Sequence, residues 1–226
     1  MHIEPGVVSG AKMGLSLATA GASFGVLLKS SWTAIKSQGL ISLILRSLIS
    51  AVLVFSFFEL LPHHPIGVSE VHFILGSTLF LIFGPAAAGI GLTLGLLTQG
   101  VFFAPSDLPM YFVNITTLLM PLALVSVIAK KTIPAQTAYK DVTYKQALAL
   151  STAYQGGIVA WVAFWALYGQ GFGAENLASV GSFGAAYMLV VIFEPLIDLG
   201  VLAAAKTLNQ MKDSPLFYDR LHNGVS

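Results

Sequence analysis

The first residues of the chain can chelate a transition metal, because histidine occupies position two. A free amine on Met1, the amide nitrogen of His2 and Nδ1 of its imidazole can close on one ion. One further imidazole would complete a planar set of nitrogens, which suits Ni(II) and Cu(II) best and can accept Co(II). These ligands must be deprotonated, so affinity should rise with pH. The start of the chain lacks the basic region of a signal peptide, and we therefore expect Met1 to keep its amine.

The other histidines differ in how well they could supply the further imidazole. His63 and His64 lie in a proline-flanked loop, which is ordinary at a membrane interface, and His222 lies in a polar tail. His72 opens an apolar segment beside Glu70. It could cap a helix, face the interface or bind an ion, and the spacing alone leaves these alternatives open.

The composition indicates an integral membrane protein. Only 9% of the 226 residues are charged, 56% are hydrophobic, and the mean hydropathy is +0.82. Soluble domains carry about 25% charged residues. The apolar runs are long enough for helices that cross a membrane and too continuous for the alternating strands of a barrel. The absence of cysteine excludes disulfides, thiolate metal sites and cysteine nucleophiles. We therefore predict an all-α, polytopic transmembrane bundle.

The apolar pattern predicts about seven helices in one transmembrane domain over residues 1–208, with a cytoplasmic tail over residues 209–226. The third and fourth spans meet at Gly84-Pro85 and are predicted to form a tight helical hairpin. The predicted spans are Val7–Leu28, Gly39–Leu61, Val71–Phe83, Ala86–Ala104, Ile115–Ala129, Gln146–Tyr168 and Val180–Leu208.

The basic residues predict the orientation, because cytoplasmic loops retain lysine and arginine. With seven alternating spans, nine of the 11 basic residues fall on one side, and none falls on the side of Glu4, Glu70 and Asp107. We therefore expect the amino terminus outside and the carboxyl terminus in the cytoplasm. The nine residues are Lys29, Lys36, Lys130, Lys131, Lys140, Lys145, Lys206, Lys212 and Arg220.

Several short features occur in the order found in a known family. Met1-His2-Ile3 is followed by Gly6, and further along come His72, Phe83-Gly84-Pro85, Gln99 and Asn114. Roughly the first half of the chain therefore resembles the substrate-capture (S) components of cobalt and nickel energy-coupling-factor transporters, which are ATP-driven importers.

The chain also departs from the family pattern in two places. Pro5 and Val7-Val8 stand near the start where many members carry Gly and Phe-Leu, and the run after His72 holds fewer small residues. The choice of metal stays open on this basis, with cobalt as the first expectation and nickel as the second.

The resemblance implies roles for five residues. Met1 would supply its amine, His2 its amide nitrogen and imidazole, and His72 a second imidazole to bind Co(II) or Ni(II). Gln99 and Asn114 would hold the amino-terminal loop and orient the ligands by hydrogen bonds. Both residues could equally serve as polar contacts between helices.

The resemblance also implies a transport subunit of the inner (plasma) membrane that is not an enzyme. Its partners would be the lipid bilayer, a transmembrane coupling (T) subunit, cytoplasmic ATPase subunits and a small accessory membrane protein, with no nucleic acid. The chain has no G-x-x-x-x-G-K-[ST] loop, so the partners would hydrolyse ATP. The alternatives are an S component for an organic vitamin, a membrane-embedded hydrolase and a non-catalytic assembly subunit.

Arg46, Glu194 and Asp198 lie at comparable depth within the predicted spans, nearer the cytoplasmic side. The two acids are four residues apart and share one helical face, with Pro195 between them to kink the helix. Charges inside a membrane are usually paired. We therefore predict one structural ion-pair cluster, with a contact to a partner subunit or a relay to the metal site as the alternative.

Overall fold

The computed structural model describes residues 2–210 as a bundle of helices. Met1 and residues 211–226 of the predicted tail lie outside the described residues. A two-stranded antiparallel sheet pairs β1 (His64–Ile66) with β2 (Ser69–Val71). The helices are α1 (Met13–Gln38), α2 (Leu40–Glu59), α3 (Gly76–Phe102), α4 (Tyr111–Thr132), α5 (Tyr144–Gln170) and α6 (Ala174–Gln210).

In the described part of the chain, six helices are long and apolar enough to cross a membrane. Their outward faces carry large apolar side chains, for example Leu28 and Ile41, which are 70% and 75% exposed. Apolar surface of this extent belongs against lipid rather than water. The structure thus confirms the predicted polytopic helical class, while the side of the membrane on which each terminus lies stays a prediction.

The first predicted span differs from the helix that forms. α1 begins at Met13 rather than Val7 and continues to Gln38, through Lys29 and Lys36. Long basic side chains at a helix end can keep their charge in water while their stems lie along apolar surface, so they need not end a helix. The break falls at Gly39, whose φ of 83° is readily adopted only by glycine.

The third and fourth predicted spans belong to one bent element, α3. Gly84 interrupts its helical geometry with φ 82° and ψ 165°, immediately before Pro85. A straight helix of this length would be about 40 Å long. Instead, His72 before α3 and Asp107 after it both contact His2. The chain therefore reverses at Gly84. Both arms fall in one helix, so residues 2–210 form six long helices where seven spans are predicted.

The arm of α3 that follows Gly84 packs closely along α2. A methyl group added to Gly91 would lie 2.1 Å from the Ser50 hydroxyl oxygen, and one added to Gly95 would lie 2.5 Å from Val54. Small residues allow helices in membranes to approach closely. This contact carries the chain back to the end of the bundle that holds His2.

The largest buried side chains of the core lie on α5 and α6. Tyr154, Trp165, Phe183 and Tyr187 are fully buried there. The indole nitrogen of Trp165 donates to the Thr116 hydroxyl oxygen at 3.1 Å, which satisfies the polar end of this large side chain. The amino-terminal segment packs against this core through Ile3, Val7 and Val8.

Candidate metal centre

The amino-terminal segment is added to the edge of the small sheet. Ile3 forms an antiparallel bridge with Ser69, the Glu70 N–H donates to the His2 carbonyl at 2.9 Å, and the Glu4 N–H donates to the Val68 carbonyl at 3.1 Å. Backbone hydrogen bonds on both sides of Ile3 fix the register of His2 along β2. The pairing brings the first residues of the chain beside Glu70 and the segment that follows it.

Asn114 holds the same segment from α4. Its side-chain oxygen accepts a hydrogen bond from the Ile3 N–H at 2.8 Å, and the residue is 1% exposed. The family resemblance implies such a contact for this residue. Its contribution to metal binding stays a prediction.

Gln99 does not reach the amino-terminal segment through any hydrogen bond among the described residues. Its amide nitrogen donates to the Glu59 carboxylate at 3.3 Å and lies 3.5 Å from the Phe58 carbonyl. It therefore connects α3 to the end of α2. The Phe58 ring packs 4.6 Å from the His72 ring, between centroids, so Gln99 supports the neighbourhood of His72 rather than the loop.

The imidazoles of His2 and His72 come together although 70 positions separate them in the chain. Their ring centroids are 5.6 Å apart, and the side chains are buried, at 2% and 1% exposure. The Phe58 ring contacts both, with its centroid 5.9 Å from that of His2. This ring excludes water from one side of the pair.

Each imidazole has one bonded and one free nitrogen. Nδ1 of His2 donates to the Asp107 carboxylate at 2.8 Å, and Nδ1 of His72 lies 3.1 Å from the Phe73 carbonyl oxygen. Both Nε2 atoms are buried without a hydrogen-bond partner among the described residues. A buried polar nitrogen without a partner is costly unless it binds something. Two such nitrogens at one place are the signature expected of a metal site.

The Glu70 carboxylate lies close to the pair. One ligand atom each of His2, Glu70 and His72 lie within 4.8 Å of one another. Glu70 and His72 are two residues apart in extended chain, so their side chains leave the same face. That spacing is visible in the sequence, although only His72 of the two is predicted from it as a metal ligand.

Burial also sets the charge of the site. It lowers the pKa of His2 below 6.5, against the opposing effect of the hydrogen bond to Asp107. A neutral imidazole is the form that binds metal, so His2 is ready as a ligand near pH 7. The pKa of Glu4 is raised by burial and by the nearby carboxylates of Glu70 and Asp107.

An acidic cavity of about 340 Å³ adjoins His2. Three carboxylates face it, and no lysine or arginine does. Charges of one sign in a cleft raise the local concentration of counter-ions, so the cavity is suited to admit a cation. Its lining residues are His2, Ile3, Glu4, Pro5, Pro65, Glu70, Ser106 and Asp107.

The predicted ion-pair cluster does not form among the described residues. The Arg46 guanidinium donates to the Phe83 carbonyl at 2.8 Å and lies 3.3 Å from the Ser42 carbonyl. Glu194 and Asp198 bind groups at the start of α3, and no ion pair within the described residues joins them to Arg46. The sequence places the three charges at a similar depth in the membrane, but it does not reveal that α3 lies between Arg46 and the two acids.

The helical bundle and its buried pair of imidazoles define a polytopic membrane protein with a candidate site for a metal cation. The chain belongs to the family described as CbiM, cobalt uptake substrate-specific transmembrane region, whose model matches residues 2–211. It is thereby a membrane component of metal uptake.

Solved structures share the fold. A truncated transition metal transporter is 19% identical with a TM-score of 0.67, covering 93% of this chain and 99% of its own. A second transition metal transporter is 18% identical with a TM-score of 0.65, covering 98% of this chain and 96% of its own. At this identity the likeness concerns the fold alone. A comparison with curated proteins found no match.

Proposed function

We propose that this protein captures Co(II), or Ni(II) as the second choice, as the membrane substrate-binding subunit of an ATP-driven importer. The observation that carries the proposal is the buried pair of imidazoles, His2 and His72, each with an unpartnered Nε2. Membership of a cobalt uptake family supports it. Energy would come from cytoplasmic ATPase subunits through a transmembrane coupling subunit, with a small accessory membrane protein as a further partner.

Two ligand sets fit this proposal. The first is the chelate of the Met1 amine with the amide nitrogen and Nδ1 of His2, completed by His72. It requires Nδ1 of His2 to leave Asp107. The second set is Nε2 of His2 with Glu70 and His72. It keeps the Asp107 bond, and a histidine that ligates through one nitrogen commonly donates from the other to a carboxylate.

The deciding experiment measures Co(II) and Ni(II) binding to purified protein whose amino terminus is native. The matched variants are His72→Ala, Glu70→Gln and a chain with a few residues added before Met1. We expect about one ion per native chain and a loss of at least tenfold in affinity for His72→Ala. His64→Ala serves as the control, because His64 is exposed on β1 and should leave affinity unchanged.

The outcomes separate the two sets. If the extension abolishes binding and Glu70→Gln has little effect, the terminal-amine chelate holds the ion. The reverse result assigns the ion to Nε2 of His2, Glu70 and His72. If the native chain binds neither metal, the proposal is wrong, and a vitamin-binding or assembly subunit becomes the better hypothesis.

A hydrolase with a serine nucleophile is disfavoured by the position of the matching sequence pattern, whereas the hydrolase alternative that uses Glu194, Asp198 or His72 stays untested. The run Gly21-Ala22-Ser23-Phe24-Gly25 matches a G-x-S-x-G pattern, but it lies inside α1. The Ser23 hydroxyl donates to the Thr19 carbonyl one turn earlier, at 2.9 Å. A hydrolase nucleophile of this pattern sits instead on a sharp turn between a strand and a helix.

A further inference from the structure

Glu194 of α6 holds the backbone immediately after His72. Its two carboxylate oxygens accept hydrogen bonds from the Ile74 and Leu75 N–H groups, at 2.8 Å and 2.6 Å. These residues lie outside regular secondary structure and precede the first turn of α3. Glu194 is fully buried, so its charge depends on such donors for stabilisation. The carboxylate therefore replaces the backbone partners that a helix or sheet would supply here.

Asp198 repeats this arrangement one turn further along α6. Its oxygens accept from the Ser77 and Thr78 hydroxyls, each at 2.5 Å, in the first turn of α3. Two carboxylates on one face of α6 thus bind consecutive groups at the start of α3. Negative charge is favoured at a helix amino terminus, where N–H groups point outward.

Side chains of α5 and α6 fix Glu194 in turn. The Gln155 amide nitrogen donates to Glu194, and the Tyr187 hydroxyl donates to the Gln155 carbonyl oxygen at 2.8 Å. All three side chains are fully buried. The carboxylate is consequently held at a defined position rather than free to follow the segment.

The held segment is strained and closely packed. Leu75 has φ 54° and ψ 33°, a left-handed conformation that bulky residues rarely adopt. A methyl group added to the next residue, Gly76, would lie 2.3 Å from the Tyr154 ring. Backbone in such a conformation persists only when its surroundings hold it.

We propose that Glu194 and Asp198 are positioning residues for metal capture. They hold the segment that carries His72, so that its imidazole meets His2. This inference rests on the proposed function and deepens it. His72 is only two residues from Ile74, with Phe73 alone between them, so a shift of the Ile74 N–H group moves the backbone that carries the His72 ring. The acids contact the ligand-bearing segment and not the ion.

The test compares Glu194→Gln with the native protein. Glutamine leaves one acceptor and places an NH₂ group against an N–H donor, so one of the two backbone bonds is lost. We expect Co(II) affinity to fall about tenfold, as for other groups that orient metal ligands. We also expect a changed Co(II) absorption spectrum and faster hydrogen exchange at Ile74 and Leu75 in metal-free protein.

Two control variants separate positioning from general stability. Glu175→Gln changes an exposed acid in the first turn of α6, and we expect native affinity, spectrum and exchange. Leu202→Ala removes a fully buried side chain of the same helix. It should lower the melting temperature and leave the affinity and spectrum of the folded protein unchanged. If Glu194→Gln does not fold, Ser77→Ala with Thr78→Val tests the Asp198 contacts by the same measurements.

An affinity loss with a changed spectrum and faster exchange at the segment supports the inference. It is overturned if the substituted protein behaves like Leu202→Ala, with a lower melting temperature and the native spectrum and exchange. Failure of the proposed function looks different, because the native protein would then bind no Co(II) at all. A native protein that binds, beside a Glu194→Gln variant that binds equally well, overturns this inference alone.

Discussion

At the scale of single residues, the candidate site depends on contacts that hold His2 in place. The backbone of Ile3 pairs with β2 on one side and donates to the Asn114 side chain on the other. Asp107 meets the His2 ring from the loop before α4. His2 therefore has little freedom, and its ring is kept beside that of His72.

Replacing Asn114 with alanine should release the amino-terminal segment. The substitution leaves the buried Ile3 N–H without an acceptor, which costs about 1–3 kcal/mol. We expect a decrease of about tenfold in Co(II) affinity, measured by equilibrium titration with the native amino terminus. Asn114→Asp keeps a side-chain oxygen at this position and should retain most of the affinity. Equal binding by the alanine variant and the native protein would show that β2 alone holds the segment.

The site shows which residues the sequence could reveal. His2 stands out because position two permits a chelate with the terminal amine, and His72 stands out because it opens an apolar segment beside Glu70. The spacing of Glu70 from His72 carries a signal as well. No local sequence pattern indicates Asp107, since its hydrogen-bond partner His2 lies 105 residues away. Contacts between residues so far apart in the chain depend on how the helices assemble, and a local sequence pattern does not encode that assembly.

At the scale of elements, the bend of α3 decides the shape of the site. Long apolar runs were enough to predict the helices, because a lipid-exposed backbone must satisfy its own hydrogen bonds. Gly84-Pro85 also marked the reversal. The partners of Arg46, Glu194 and Asp198 could not be predicted, since all three contact residues of α3 or its flanks.

Gly84→Ala should destabilise the bend through backbone strain alone. The φ of 82° with ψ of 165° is essentially restricted to glycine, and the nearest atom to an added methyl group would be Nη1 of Arg46, at 3.7 Å. We expect a loss of about 1–3 kcal/mol in the free energy of unfolding, measured in detergent by thermal or denaturant titration. Gly21→Ala is the matched control, because it lies in open space in α1 and should be neutral or stabilising. Equal effects of the two substitutions would argue against strain at Gly84.

At the scale of the whole molecule, the bend and the distribution of charge agree. If α3 crossed the membrane once, Lys36 and Lys130 would face opposite sides. Because α3 returns to the end that holds His2, both lysines fall on the side opposite the acidic cavity. Among the described lysines, only Lys12 then lies at the end that holds His2, where it donates to the Gly169 carbonyl. The excess of lysine on the other side is what cytoplasmic loops show. This distribution predicts that the candidate site faces outward, where a captured ion would arrive.

This orientation can be tested directly, because the chain has no native cysteine to give background labelling. We expect His64→Cys, on the sheet beside the candidate site, to react with a membrane-impermeant maleimide added to intact cells. Ala138→Cys lies between α4 and α5 and should react only after the membrane is opened. Both positions are exposed, so accessibility within the fold does not limit the reaction. Labelling of Ala138→Cys in intact cells would reverse the orientation. It would place the imidazole pair on the cytoplasmic side, where it could release an ion but could not capture one from outside.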